Sequence, residues 1–82
     1  MEAQLKINES GSFRWNTEYY HNDNVFTMQD FLENHLPIEF LVINDDGSYV
    51  EVQNQVTDAI FSLDAKGDGD CYNHIVEWNF LR

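Results

Sequence analysis

Basic residues, cysteine and proline are all scarce in this chain of 82 residues, which holds four Lys and Arg, one Cys and one Pro. With Cys71 alone, no internal disulfide framework can form; a reducing compartment and a buried, inert thiol are expected. Lys6, Arg14, Lys66 and Arg82 are too few to line a phosphate backbone against fifteen Asp and Glu, so direct nucleic-acid binding is disfavoured. No basic-then-apolar segment opens the chain, so no signal peptide is expected. The longest unbroken apolar run is four residues, Phe40 to Ile43, too short to span a bilayer. The expected location is the cytoplasm.

Motifs that carry chemistry are also missing. There is no GxSxG, phosphate loop or glycine-rich nucleotide turn. A Cys71 nucleophile would need a base and an orienting group that the sequence does not specify. His21, His35, His74 and Cys71 show no paired CxxC or HxxxH spacing, and residues three apart on a strand point to opposite faces, so no metal site is expected. The segment from Asp64 to Gly69 has Asp at the first and fifth positions of a calcium loop and Gly at the sixth. It has Lys66 at the third and Ile75 at the twelfth, where a cation-binding loop needs oxygen ligands. The expectation is a protein with no cofactor and no catalytic residues.

What is abundant is apolar and acidic. Apolar residues make up 43% and aromatics number twelve, enough for one core, so residues 1–82 are expected to form a single domain. A domain of this size buries about 60% of its unfolded surface and has little stability to spare. The formal net charge of −11 costs stability through self-repulsion, and it attracts basic protein surfaces.

The chain is organised around its C-terminal end. Two strand-like runs, from Ala59 and up to Leu81, flank a Gly/Asp turn. On the second run Tyr72, His74, Val76, Trp78 and Phe80 share one face. Earlier, Gln4 to Asn8 and Phe13 to Tyr20 alternate around a Ser-Gly-Ser turn and predict a hairpin. Thr27 is placed as a helix cap, with Asp30 three residues on and a Phe26–Phe31 staple. Met28, Phe31, Leu32, His35 and Leu36 follow helical spacing, and Pro37 stops the helix, which is expected over Met28 to His35. Ile38 to Asn44 is apolar on both faces and predicts an interior strand. Asp46-Gly47 predicts a tight turn, after which Val50 and Val52 point inward. The fold class is α+β, in the order β-β-α-β-β-β-β, with a mainly antiparallel sheet and one short helix packed on one face.

If the helix crosses back along the sheet, the strands before and after it run in the same direction. Asp23, Asp45, Asp46, Asp64, Asp68 and Asp70 then gather at one end, with Glu9 and Asp58 at the other. Turn preference explains each Asp singly, through local hydrogen bonds, but not the lopsided total. One short helix cannot cover a whole sheet, so Trp15, Tyr20, Tyr49 and Tyr72 are candidate interface rings beside those carboxylates. Size, charge and absence of catalytic motif resemble the small acidic inhibitors that phages and toxin–immunity systems deploy against nucleases, anti-CRISPR and anti-restriction proteins among them. That resemblance covers no motif and transfers no residue role. It implies an inhibitor, acting as a nucleic-acid mimic on a basic, nucleic-acid-binding enzyme. The alternative is a structural or assembly protein that self-associates through an apolar sheet face, as in a homodimer, with acidity serving solubility.

Overall fold

Among the described residues, alternating segments build five strands and one amphipathic segment builds one helix: β1 (Gly11–Asn16), α1 (Asn24–Asn34), β2 (Phe40–Asp45), β3 (Tyr49–Asn54), β4 (Ile60–Gly67) and β5 (Asn73–Phe80). The computed structural model describes residues 2–16, 23–67 and 73–82. The strands form one open sheet in the order β1-β5-β4-β3-β2, and every neighbouring pair is antiparallel. α1 packs across β4 and β5 on one face, which makes the fold α+β.

Period-two alternation decides what that face buries. Phe61, Leu63 and Ala65 of β4, His74, Val76 and Trp78 of β5, and Val50 and Val52 of β3 point toward α1 and are buried. Met28 and Phe31 meet them from the helix, both fully enclosed. The expected faces of β3 and β5 are the observed ones. The opposite, open face is the one no described helix covers; it carries Ser12, Arg14, Tyr49, Glu51, Gln53 and Glu77 around Ile60, Ser62 and Ile75, which are buried.

Three expectations are corrected. Gln4 to Asn8 is not a strand: the segment closes the far side of the core. Ala3 and Leu5 are buried there, and Ala3 N donates to His35 O at 2.9 Å. Among the described residues the strands therefore number five. Its intended partner, placed at Phe13 to Tyr20, starts at Gly11, and residues 17–20 lie outside the described residues. The helix starts one turn earlier than expected. Asp23 is its cap, with Oδ1 accepting from Val25 N at 2.9 Å, and His35 closes the other end. Thr27 therefore sits inside the helix, and Phe26 is half exposed in the first turn, where it cannot precede a cap. Finally, β2 is an edge strand and begins at Phe40, two residues later than expected.

Thr27 has a different job. Its hydroxyl shares a 2.9 Å hydrogen bond with Nδ1 of His74, both groups being buried. Replacing a buried polar partner by an apolar isostere costs about 1–3 kcal/mol. Thr27→Val is expected to lower the thermal midpoint by on the order of 10 °C, read by circular dichroism. Thr27→Ser should keep most of the stability, and equal losses in the two variants would contradict a role for the hydroxyl.

Gly11 opens β1 directly opposite Trp78. A Cβ built there would lie 2.7 Å from Cζ2 of the indole, closer than atoms can approach. The indole is buried and rigid, so it cannot swing away as a flexible chain end would. Gly11→Ala should cost about 1–3 kcal/mol, as overpacking of a filled core does. A midpoint unchanged by this single methyl would show that β1 slides freely on β5.

Candidate functional site

Strand direction sets which turns share an end of the sheet. β1, β4 and β2 run one way, and β5 and β3 the other, because each neighbour is antiparallel. The two strands joined by α1 thus run in the same direction, on opposite edges of the sheet. The end of β1, the β2–β3 turn and the end of β4 lie at one end. The β3–β4 turn and the start of β1 lie at the other. Asp23, Asp45, Asp46 and Asp64 belong to the first end, while Glu9 and Asp58 belong to the second. Asp68 and Asp70 fall in the β4–β5 connection, outside the described residues.

Local hydrogen bonds hold this end together. Asp45 Oδ1 accepts from Gly47 N at 2.9 Å, and Asp46 N donates to Tyr49 O at 2.8 Å, which closes the β2–β3 turn. Gly47 takes φ +81°, a conformation that favours glycine. The α1 N-terminus rests on that turn, because a Cβ at Gly47 would lie 3.2 Å from Cγ2 of Val25. Asp23, which caps the helix two residues before Val25, belongs to this same end. Ala65 N donates to Ser48 O at 2.9 Å and brings β4 into the same group.

Asp64 lies on the open face directly opposite Tyr49 on one side and Glu77 on the other. Directly opposed like charges are destabilising in a sheet. Lys66 offsets part of this, its Nζ standing 3.2 Å from Asp64 Oδ2. Both side chains are about half exposed, so the ion pair contributes roughly 0–1 kcal/mol. Tyr49, 37% exposed, reaches Glu51 with a long contact of 3.5 Å from its hydroxyl. Glu51 and Glu77 thus extend the acidic surface from the turns onto the sheet. Strand alternation could have assigned both to the open face, but bringing them beside Asp64 required the register.

Trp15 takes a different position from Tyr49. It is half-buried between β1 and α1, where its Nε1 donates to Asp30 Oδ2 at 2.7 Å. The other Asp30 oxygen accepts from Asn34 Nδ2, also at 2.7 Å. The indole stands 4.9 Å from the His35 ring, 5.6 Å from His74 and 5.9 Å from Phe13 and Phe31. It seals the seam between strand and helix. Tyr20 and Tyr72 lie outside the described residues.

Among the described residues, no three His, Cys, Asp or Glu side chains group to hold a metal ion. Among them, too, no helix is long and apolar enough to cross a membrane. An open groove of about 510 Å³ runs between residues 2–6 and Pro37, Glu39 and Phe40. Comparison with protein-family models, curated proteins and solved structures gave no match.

Proposed function

We propose that this chain is a non-catalytic inhibitor that occupies a basic, nucleic-acid-binding surface on a cytoplasmic enzyme. The observation that supports this most is the gathering of Asp23, Asp45, Asp46 and Asp64 at one end of the sheet, continued by Glu51 and Glu77 on the open face. An electronegative region of that extent steers a cationic partner into contact and sets its orientation. Tyr49 is the described ring best placed to act as an anchor beside it, since it is exposed and neighbours Asp64. Such a protein needs neither a cofactor nor direct contact with nucleic acid.

A second reading has its own support. Leu41, Val42 and Ile43 are between 43% and 55% exposed, and a self-associating protein would cover them. Two measurements separate the readings: light scattering for monomer against dimer, and capture of a partner from host lysate across a salt series. An inhibitor of the proposed kind is monomeric alone and releases its partner steeply as salt shortens electrostatic reach from about 10 Å at 0.1 M to about 3 Å at 1 M. A capture that survives high salt unchanged would end the electrostatic reading.

A further inference from the structure

We propose that the outer edge of β2 is a strand-addition site, taking an extended apolar segment of a partner protein that carries a cationic residue at each end. This rests on the acidic binding role above and identifies where the partner's chain would run.

β2 pairs only with β3 among the described residues, so no described strand lies on its other edge. Gln55 N donates to Glu39 O at 2.8 Å across the hairpin. Antiparallel ladders alternate between bonded and outward-facing positions, so Leu41 is bonded to β3, and the N–H and C=O of Val42 face away from it. The N–H of Phe40 is already taken by Pro37 O, at 3.1 Å. Beyond Val42 the ladder shifts at Ile43, a bulge of the kind that blunts edges without abolishing them. The side chains on both faces of this edge are apolar and exposed: Leu41 at 55%, Val42 at 43% and Ile43 at 46%. A row of backbone donors and acceptors flanked by apolar side chains is what an added strand binds.

Charge selects the occupant. Glu39 precedes the strand and Asp45 and Asp46 end it, while neither β2 nor β3 holds a Lys or Arg. A second copy of this chain fits poorly. Antiparallel pairing centred on Val42 sets Glu39 opposite Asp45 of the other copy, twice, and a shift of one residue sets it opposite Asp46. Like charges directly opposed in a ladder repel. A segment with Lys or Arg at both ends, about 20 Å apart at 3.3 Å per residue, answers both carboxylate groups whichever way it runs.

The test titrates the full isotope-labelled chain with the capped peptide Lys-Val-Thr-Val-Thr-Val-Lys, followed by backbone amide shifts. Shifts should centre on Phe40, Val42 and Asp45. A Glu-ended peptide of the same core should bind at least tenfold more weakly. Two further peptides, N-methylated on the odd or on the even residues, separate strand addition from simple charge attraction. One methylation pattern should lose binding and the other keep it, because only one peptide edge faces β2. Glu39→Lys combined with Asp46→Lys should reverse the preference between Lys-ended and Glu-ended peptides. Shifts elsewhere, no binding, or indifference to both methylation patterns would overturn the proposal. If the peptides fail while a lysate partner is still held in a salt-sensitive way, strand addition falls and the acidic role stands. If capture does not depend on salt, the acidic role falls whatever the peptides do.

Discussion

Phe61→Ala is expected to leave the protein largely unfolded at room temperature, or to lower its midpoint by on the order of 20 °C. Phe61 is fully buried on β4, the central strand of the sheet. It lies opposite Val52 on β3 and Phe80 on β5. Its ring meets Phe40 edge-on at 5.7 Å and Phe80 at 5.5 Å, so it joins the edge strand β2 to the middle of the sheet. Truncating such a ring costs about 3–5 kcal/mol, from lost transfer energy and the cavity left behind. A domain of 82 residues has about 4–12 kcal/mol in all, and a charge of −11 pushes it toward the lower figure. The cavity term therefore consumes most of the total. Phe61→Leu, which refills most of the volume, should cost about 1.5 kcal/mol or less. Urea denaturation followed by tryptophan fluorescence reads both variants, and a loss below about 1 kcal/mol for Phe61→Ala would show that the core does not centre on this ring.

The pattern of residues showed the faces of the sheet better than its edges. Alternation points Val50 and Val52 inward and sets Val76 and Trp78 on one shared face, and all four are buried, because a half-covered sheet leaves a period of two in the sequence. Alternation says nothing about what lies beside a strand, and β2 shows the consequence. Its residues are apolar on both faces, as in interior strands, yet it closes the sheet at one side. The helix starts earlier than its spacing suggests for a local reason. Thr27 three residues before Asp30 has the spacing of a cap, but the true cap, Asp23, precedes Val25 and Phe26, which look out toward solvent. What singled out Thr27 for burial was a contact 47 residues away, with His74. The shared end of Asp23, Asp45, Asp46 and Asp64 is legible, since it follows from counting strand reversals once the helix returns along the sheet, whereas Asp68 and Asp70 lie outside the described residues. The acidic surface around Asp64 was not, because it depends on cross-strand register.

Reversing charge at the acidic end should separate binding from folding by moving them in different directions. The variant is Asp45→Asn, Asp46→Lys and Asp64→Lys together. It raises the formal charge by five, one unit at Asp45 and two at each of the others, from −11. Asn at Asp45 preserves an acceptor for Gly47 N, so the β2–β3 turn keeps its hydrogen bond. Lysine in place of Asp64 removes the pair with Lys66 and sets two like charges side by side on one strand face, a loss of about 1 kcal/mol between half-exposed groups. It also turns the opposition with Glu77 from repulsive to attractive, a gain of about 0.2–1 kcal/mol. These changes offset one another, and overall self-repulsion falls, so the thermal midpoint should stay level or rise by a few degrees. Partner capture should collapse, since electrostatic steering multiplies association rates by about 10 to 10³ and this variant removes its source at the turns. A hundredfold loss of affinity with an intact melt is the expected result, measured by titration of the captured partner at low salt. The loss should shrink toward parity as salt approaches 1 M, where the native chain is screened as well. Should the variant bind as tightly as the native chain at low salt, the carboxylates at this end would serve solubility alone, and the binding surface would have to lie elsewhere on the sheet.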